Sequence, residues 1–331
     1  MEDKKVILEV KDLKKYFPLG KGKLDKNKKY VKAVDGVSFK LYEGETLGLV
    51  GESGCGKSTL GRAILRLHEP TSGEVHFNGE DILKKNRKEM RKLREEMQII
   101  FQDPYSSLNP RMNVYNILSE PLVAHGYYKK GDELKQYILN LMEKCGLPPY
   151  YCYRYPHQFS GGQRQRIGIA RSLALDPSFI VCDEAVSALD VSIQSQIINL
   201  LLDLKEQNNL TYLFISHDLS VIKYISDRIG VMYLGNMMEL SDTEHLFAHP
   251  YHPYTEALLS AIPTTDVDGR KETIILEGDI PSPINPPKGC KFHTRCRYCT
   301  EICKNVTPQF EEVEPGHFVA CHHKLGVPEE K

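Results

Sequence analysis

The sequence predicts an α/β fold in which a mostly parallel sheet is covered by helices, with an antiparallel β region before it and a small loop-rich unit after it. Three observations predict this. Between "SFIVCDE" and "RIGVMYLG", residues 178 to 235, short apolar strands alternate with helical stretches, the pattern of a parallel sheet buried on both faces. Upstream, "GESGCGKST", Gly51 to Thr59, follows the apolar strand "ETLGLV" and opens a helix. Beyond residue 240 the regularity gives way to "HPYHPY", "IPSPINPPKG" and a run of cysteines.

With 331 residues the chain has room for one large and one smaller domain, each with its own core. We place the change near residues 245 to 265 and divide the chain into 1–245 and 246–331. Lys plus Arg number 43 and Asp plus Glu 44, so no overall field draws the chain to nucleic acid or an anionic membrane. No nucleic-acid partner is expected. The opening "MEDKKVILEVKDLKKYF" carries charges where an export signal needs an apolar core, and no window approaches the roughly 18 to 20 apolar residues that span a bilayer. A cytosolic chain is therefore expected, and nine cysteines in that compartment favour metal binding over disulfides.

Element by element, "VILEV", "VKAVDGVSFKL", "ETLGLV" and "GEVHF" read as strands separated by turns such as "YEGE" and "FNGE". The basic stretch "GKGKLDKNKKY" is a solvated loop between the first two. "KSTLGRAILRL" is a helix that ends before "HEPTSG", and the charged helix "KKNRKEMRKLREEM" leads into the strand "QIIF". From 113 to 174 the pattern is helical; Leu134, Tyr137, Ile138, Leu141, Met142 and Cys145 share one face, which makes Cys145 a core residue. The helices "SIQSQIINLLLDLKEQ" and "LSVIKYIS" then alternate with the strands "SFIVCDE", "TYLFISHD" and "RIGVMYLG".

Gly51, Glu52, Ser53, Gly54, Cys55, Gly56, Lys57, Ser58 and Thr59 fit the spacing G-x-x-x-x-G-K-[ST] in the strand–loop–helix context that spacing requires. Glycines let the backbone turn N–H groups toward phosphate oxygens, and the helix N-terminus adds partial positive charge. Lys57 is placed to reach the β and γ phosphates of a nucleotide, and Ser58 to coordinate magnesium. Cys55 fills a small position and reads as packing. "FIVCDE" carries Asp183 and Glu184 to the end of a buried strand, where one carboxylate can serve magnesium and the other a water. His217 closes "FISHD"; alone it reads as structural.

The stretch "QFSGGQRQRIGIARSLALDPSFIVCDE" resembles the nucleotide-binding subunits of ATP-binding cassette transporters, whose signature is present as Phe159, Ser160, Gly161, Gly162 and Gln163. P-loop, glutamine loop, signature, Asp-Glu strand, "SALD" loop and histidine loop follow in that family's order over residues 6 to 240. The resemblance implies a P-loop cassette with a helical signature subdomain at about 103–175. It also implies roles. Gln102 would join magnesium and sense the γ-phosphate, Asp183 would act from magnesium's second shell, Glu184 would be the general base, and His217 would hold the γ-phosphate and water in line. The signature would close over ATP held by a second cassette subunit, and Asp190 would lie at that seam. Phe17 would carry the adenine, with Tyr16 as its neighbour and competitor. Phe159 stands where leucine is usual and Ala185 where proline is common; neither removes a chemical group, so hydrolysis is expected.

"FQDPYSSLNPRMNV", "VCDEAVSALDVSIQ" and "HPYHPYTEALLSAIP" resemble the branch serving dipeptide and oligopeptide importers and their nickel-importing relatives, which extends the resemblance through 245 to 323. It implies two membrane permeases, a second cassette subunit, identical or paralogous, and an external binding protein, with this chain at the cytoplasmic face. Segment 102 to 126 would meet a permease. Cargo stays open between dipeptide, longer oligopeptide and nickel chelate. The rival reading is a soluble cassette ATPase acting on nucleic acid; such proteins often carry two cassettes or a long coiled-coil insertion, and this chain has neither.

Cys290, Cys296, Cys303 and Cys321 are separated by five, six and seventeen residues and follow the branch's pattern "GCxFxxRC…C…C", through which some members resemble iron-sulfur proteins. The spacing leaves a [4Fe-4S] cluster, zinc, and reduced or disulfide-bonded thiols open. Cys299 falls outside the expected ligand set.

Overall fold

The computed structural model describes residues 4–20, 29–262 and 273–326. Most of the basic loop "GKGKLDKNKKY", residues 21–28, lies outside them. Along the chain, β1 (Val6–Leu19), β2 (Lys29–Tyr42), β3 (Thr46–Val50), α1 (Lys57–Ile64), β4 (Ser72–Phe77) and β5 (Glu80–Asp81) come first. They are followed by α2 (Arg87–Glu96), β6 (Met97–Ile100), α3 (Pro104–Ser107), α4 (Val114–His125), α5 (Asp132–Lys144), α6 (Gly161–Leu173), β7 (Phe179–Asp183), α7 (Val191–Asn208) and β8 (Thr211–Ile215). The remainder comprises α8 (Leu219–Ile225), β9 (Arg228–Tyr233), β10 (Asn236–Asp242), α9 (Thr243–Ala248), α10 (Pro253–Ser260), α11 (Glu301–Asn305), β11 (Glu311–Glu314) and β12 (His317–Val319). No helix among the described residues is long and apolar enough to cross a membrane.

Two compact units result, one of residues 1–42, 46–84 and 216–331, the other of 43–45 and 85–215. In the first, β2, β1, β4 and β5 form an antiparallel sheet in that order. β1 runs past the predicted "VILEV" because a bulge carries it on: the register shifts between Val10 and Leu13, where Asp12 has φ 44°. β3, buried at all five positions, pairs in parallel with β9. β10 then pairs antiparallel with β9, β12 with β10, and β11 with β12.

That antiparallel extension was not expected. β10 escapes the apolar pattern because Glu239 and Ser241, both 0% exposed, sit on it among methionines. β12 is only three residues long and finds its partner far back along the chain.

In the second unit β6, β7 and β8 pair in parallel, with Met97 opposite Phe179 and Phe179 opposite Thr211. The charged helix α2 buries Met90 alone and is opened by a capping box in which Asn86 and Glu89 satisfy each other's backbone N–H groups. On α5 the predicted face is the buried one: Leu134, Ile138, Leu141 and Met142 are interior, and Cys145 at the C-cap is 0% exposed. Tyr137 is half-buried and its hydroxyl donates to the Ala174 carbonyl at 2.9 Å.

Candidate functional site

In the first unit the chain leaves β3 into a loop whose backbone only glycine tolerates. Gly51 has φ 145° and Gly56 φ 107°; a Cβ would lie 2.1 Å from the Met232 carbonyl oxygen at the first and 2.0 Å from that of Ala33 at the second. α1 begins at Lys57, which is 4% exposed. Its ammonium donates to the carbonyls of Gly51 at 2.7 Å and Glu52 at 3.2 Å, with the Cys55 sulfur at 3.6 Å. Burial pushes the Cys55 thiol up, which keeps it neutral and makes it packing, as its size suggested. The Gly235 N–H donates to the Cys55 carbonyl at 2.8 Å and ties the loop to the β9–β10 turn.

Glu52 is held from the C-terminal region. Its N–H donates to the Tyr254 hydroxyl at 2.9 Å, and its carboxylate accepts two bonds from the Arg295 guanidinium, at 2.7 and 3.1 Å. Sequence reasoning missed both partners. The available signals were the tyrosine in "HPYHPY" and the arginine beside Cys296, polar groups in a segment with little else to do.

Also in this unit, the Tyr16 hydroxyl donates to Asp35 Oδ1. Phe17 packs edge-on against His68 at 5.5 Å, with the Lys15 ammonium 4.8 Å from its ring centre. His217 is exposed and follows Ser216, whose N–H donates to the Leu49 carbonyl at 3.2 Å and whose hydroxyl accepts from the Asp218 N–H at 3.0 Å.

The second unit carries the carboxylates and the signature. Asp183 ends β7 at 0% exposure. Glu184 is half-buried, has φ 49°, and its N–H donates to the Ile215 carbonyl at 3.0 Å. The Gln102 side-chain amide donates to Glu184 Oε2 at 2.8 Å, so two residues 82 apart in sequence meet here. The hydroxyl of Ser187 donates to the Glu184 carbonyl at 3.0 Å and shapes the turn that follows. Asp190 is exposed and caps α7, accepting from the Ile193 N–H at 3.0 Å and the Ser192 hydroxyl at 2.7 Å. The Ser192 bond is the main cause that holds its carboxyl below the usual carboxylate range.

Ser160 caps α6 in a reciprocal arrangement with Gln163, and Phe159 is buried edge-on against Tyr151 at 5.1 Å. Gly161 is exposed, whereas Gly162 is buried and packs on α7: a Cβ there would lie 2.4 Å from Ile193 Cγ2. Lys57, Ser58 and His217 thus belong to the first unit, and Gln102, Asp183, Glu184 and the signature to the second.

The model of the ABC transporter family matches residues 34–187, and that of the oligopeptide/dipeptide transporter C-terminal region matches 238–303. Over 323 residues the chain is 55% identical to the oligopeptide transport ATP-binding protein AppF of Bacillus subtilis (strain 168), covering 97% of this chain and 98% of the relative. The chain belongs to the oligopeptide and dipeptide ABC transporter ATP-binding family. It is also 50% identical to the dipeptide transport ATP-binding protein DppF of Haemophilus influenzae, over 96% of each chain. Among solved structures, a dimeric ATP-binding cassette in a post-hydrolysis state bound to ADP and Pi superposes with a TM-score of 0.64 at 28% identity, covering 71% of this chain and 98% of that one.

In this ABC transporter subunit, Cys290, Cys296, Cys303 and Cys321 line one small cavity together with His252, Phe292 and neighbouring side chains. Cys299 is not part of that lining; its thiol lies 3.6 Å from the Thr300 carbonyl oxygen. The Cys290 N–H donates to the Cys303 carbonyl at 2.8 Å, bringing two of the four together through the backbone. Burial pushes the Cys296 thiol up to about 11 and that of Cys321 up to about 12, and the neighbouring thiols add to both. Four thiols on one cavity are a donor set that fits a thiophilic metal or an iron-sulfur group, whose positive charge reverses that cost.

Proposed function

We propose that this chain binds and hydrolyses ATP to power the import of dipeptides or oligopeptides across the cytoplasmic membrane. The observation that carries the proposal is the Gln102 amide on the Glu184 carboxylate at 2.8 Å, at the end of a buried strand. Lys57 and the N–H groups at the start of α1 hold the β and γ phosphates. Ser58 and Gln102 would hold magnesium, with Asp183 behind them, and the ion would supply positive charge against those phosphates. Glu184 takes the proton of the attacking water, and His217 keeps water and γ-phosphate in line. Adenine rests on Phe17, because the Tyr16 hydroxyl is engaged by Asp35.

Residues Ser160 to Gln163 of a second cassette subunit complete the site, with Asp190 at the seam. ATP favours the closed pair, closure turns two permeases outward toward a binding protein, and hydrolysis releases the bias. The chain lies at the cytoplasmic face. Tyr105, 64% exposed within segment 102 to 126, offers an aromatic contact to a permease. Beyond residue 245 the chain continues into a tail in which Cys290, Cys296, Cys303 and Cys321 hold a [4Fe-4S] cluster, with zinc as the alternative.

Glu184→Gln should keep ATP binding, lower turnover about 10²- to 10⁴-fold, and accumulate an ATP-dependent dimer in gel filtration. Near-normal turnover rejects Glu184 as the base. Anaerobic purification followed by an absorbance spectrum decides the tail's content: a colourless protein with stoichiometric zinc removes the iron-sulfur assignment.

A further inference from the structure

We infer that His245, Glu314 and His317 form a second metal site, separate from the cysteines and suited to a borderline divalent cation such as zinc. One donor atom of each lies within 4.8 Å of the other two. The three come from the first turn of α9, the end of β11 and the start of β12.

His317 and Glu314 are each held by a partner that leaves one atom for a cation. His317 is 2% exposed, and its Nε2 stands 2.7 Å from Oε1 of Glu239, which is 0% exposed. Glu239 also accepts from the backbone N–H groups of Tyr251 at 2.6 Å and His252 at 3.0 Å. An acceptor so placed assigns the proton to His317 Nε2 and leaves Nδ1 as a lone pair. That Nδ1 is buried without a hydrogen-bond partner. A histidine whose one ring N–H is bound by a carboxylate while the other nitrogen points its lone pair inward is the arrangement that orients metal ligands.

Glu314 is prepared in the same way. Its Oε1 accepts from the Tyr251 hydroxyl at 2.7 Å, and its Oε2 lies 3.3 Å from His245 Nε2, a buried nitrogen that makes no well-directed hydrogen bond. Two ligands of a tetrahedral zinc ion with bonds of about 2.0–2.1 Å stand about 3.3 Å apart. His245 and Glu314 already have that separation, and a donor atom of His317 lies within 4.8 Å of both. Two imidazoles and one carboxylate are a zinc donor set, with water for the fourth position. The bound ion would pin the β11–β12 hairpin to α9.

The test is zinc titration of the full-length protein, stripped with chelator under anaerobic conditions, against a chromophoric indicator. Glu314→Gln keeps size and the Tyr251 contact at a residue open to solvent, so it folds; His317→Ala is the second variant. Both should bind one equivalent less than the parent, or bind it at least tenfold more weakly, while Cys290→Ser retains that equivalent. Cobalt at this site should show visible d–d bands without thiolate charge transfer. Equal zinc uptake and affinity in the parent and both variants, or a thiolate signature on the disputed equivalent, overturns the proposal.

Discussion

Glu52 occupies an unspecified position of the phosphate loop, so the motif says nothing about it. The structure commits its carboxylate to Arg295 and its N–H to Tyr254. The Arg295 side chain is 7% exposed and that of Glu52 25%, so the pair is screened on one side only. Arg295→Ala should cost about 1–2 kcal/mol, lower the melting temperature by a few degrees, and weaken ATP binding in a nucleotide titration. Arg295→Lys should recover only part, because an ammonium cannot reproduce the two-point contact. Unaltered ATP affinity in Arg295→Ala would show that the loop does not depend on the tail. Lys57 and Ser58 were legible because an eight-residue spacing carries their chemistry, whereas Glu52 and Arg295 are 243 residues apart and no local pattern joins them.

The elements divide along similar lines. α5 was readable because its buried face repeats at helical spacing; β10 was not, because its interior includes a carboxylate satisfied by Tyr251, His252 and His317 from other segments. In α6 the signature glycine has a packing duty the motif does not reveal. Gly162→Ala would press a methyl group on Ile193, a stiff β-branched side chain, at a cost of about 1–3 kcal/mol. The cost should shrink in an Ile193→Ala background, and equal costs in both backgrounds by thermal melting would remove the contact as cause.

"HPYHPY" reads as a proline turn before a helix, and the structure refines this: His252 Nδ1 accepts the Tyr254 N–H at 3.0 Å and caps α10, with Pro253 in its first turn. Burial lowers the His252 pKa to about 4, below its ordinary value near 6.5. The unfolded chain therefore binds more protons at this site between those values. Stability from the neutral cap is fully present above about pH 6.5 and lost as pH falls toward 4, by up to about 3 kcal/mol. Urea midpoints of wild type at pH 7 and 4.5 should differ more than those of His252→Asn; equal differences would rule His252 out.

For the whole molecule, the order of six motifs made the cassette recognisable where any one of them would not. The return of residues 216–331 to cluster with 1–42 and 46–84 was not readable, since it rests on pairings such as β3 with β9 and Gly235 with Cys55 across the length of the chain. Chelation supplies the test at this scale. If the four cysteines hold a metal, stripping it with chelator and restoring it should change ATP affinity in opposite directions; a chelated protein with unchanged affinity would show the tail to be an independent appendage.

Arg295 stands next to Cys296 and holds the loop that is to hold ATP. Two equilibria that share a structural member are reciprocal: if the four cysteines hold a metal, whatever factor its loss imposes on ATP affinity, saturating ATP must impose on the affinity for that metal. Where that factor favours binding, abundant ATP would hold the metal in place and scarce ATP would loosen it. The same few atoms would report energy supply to the metal pool and metal supply to the pump.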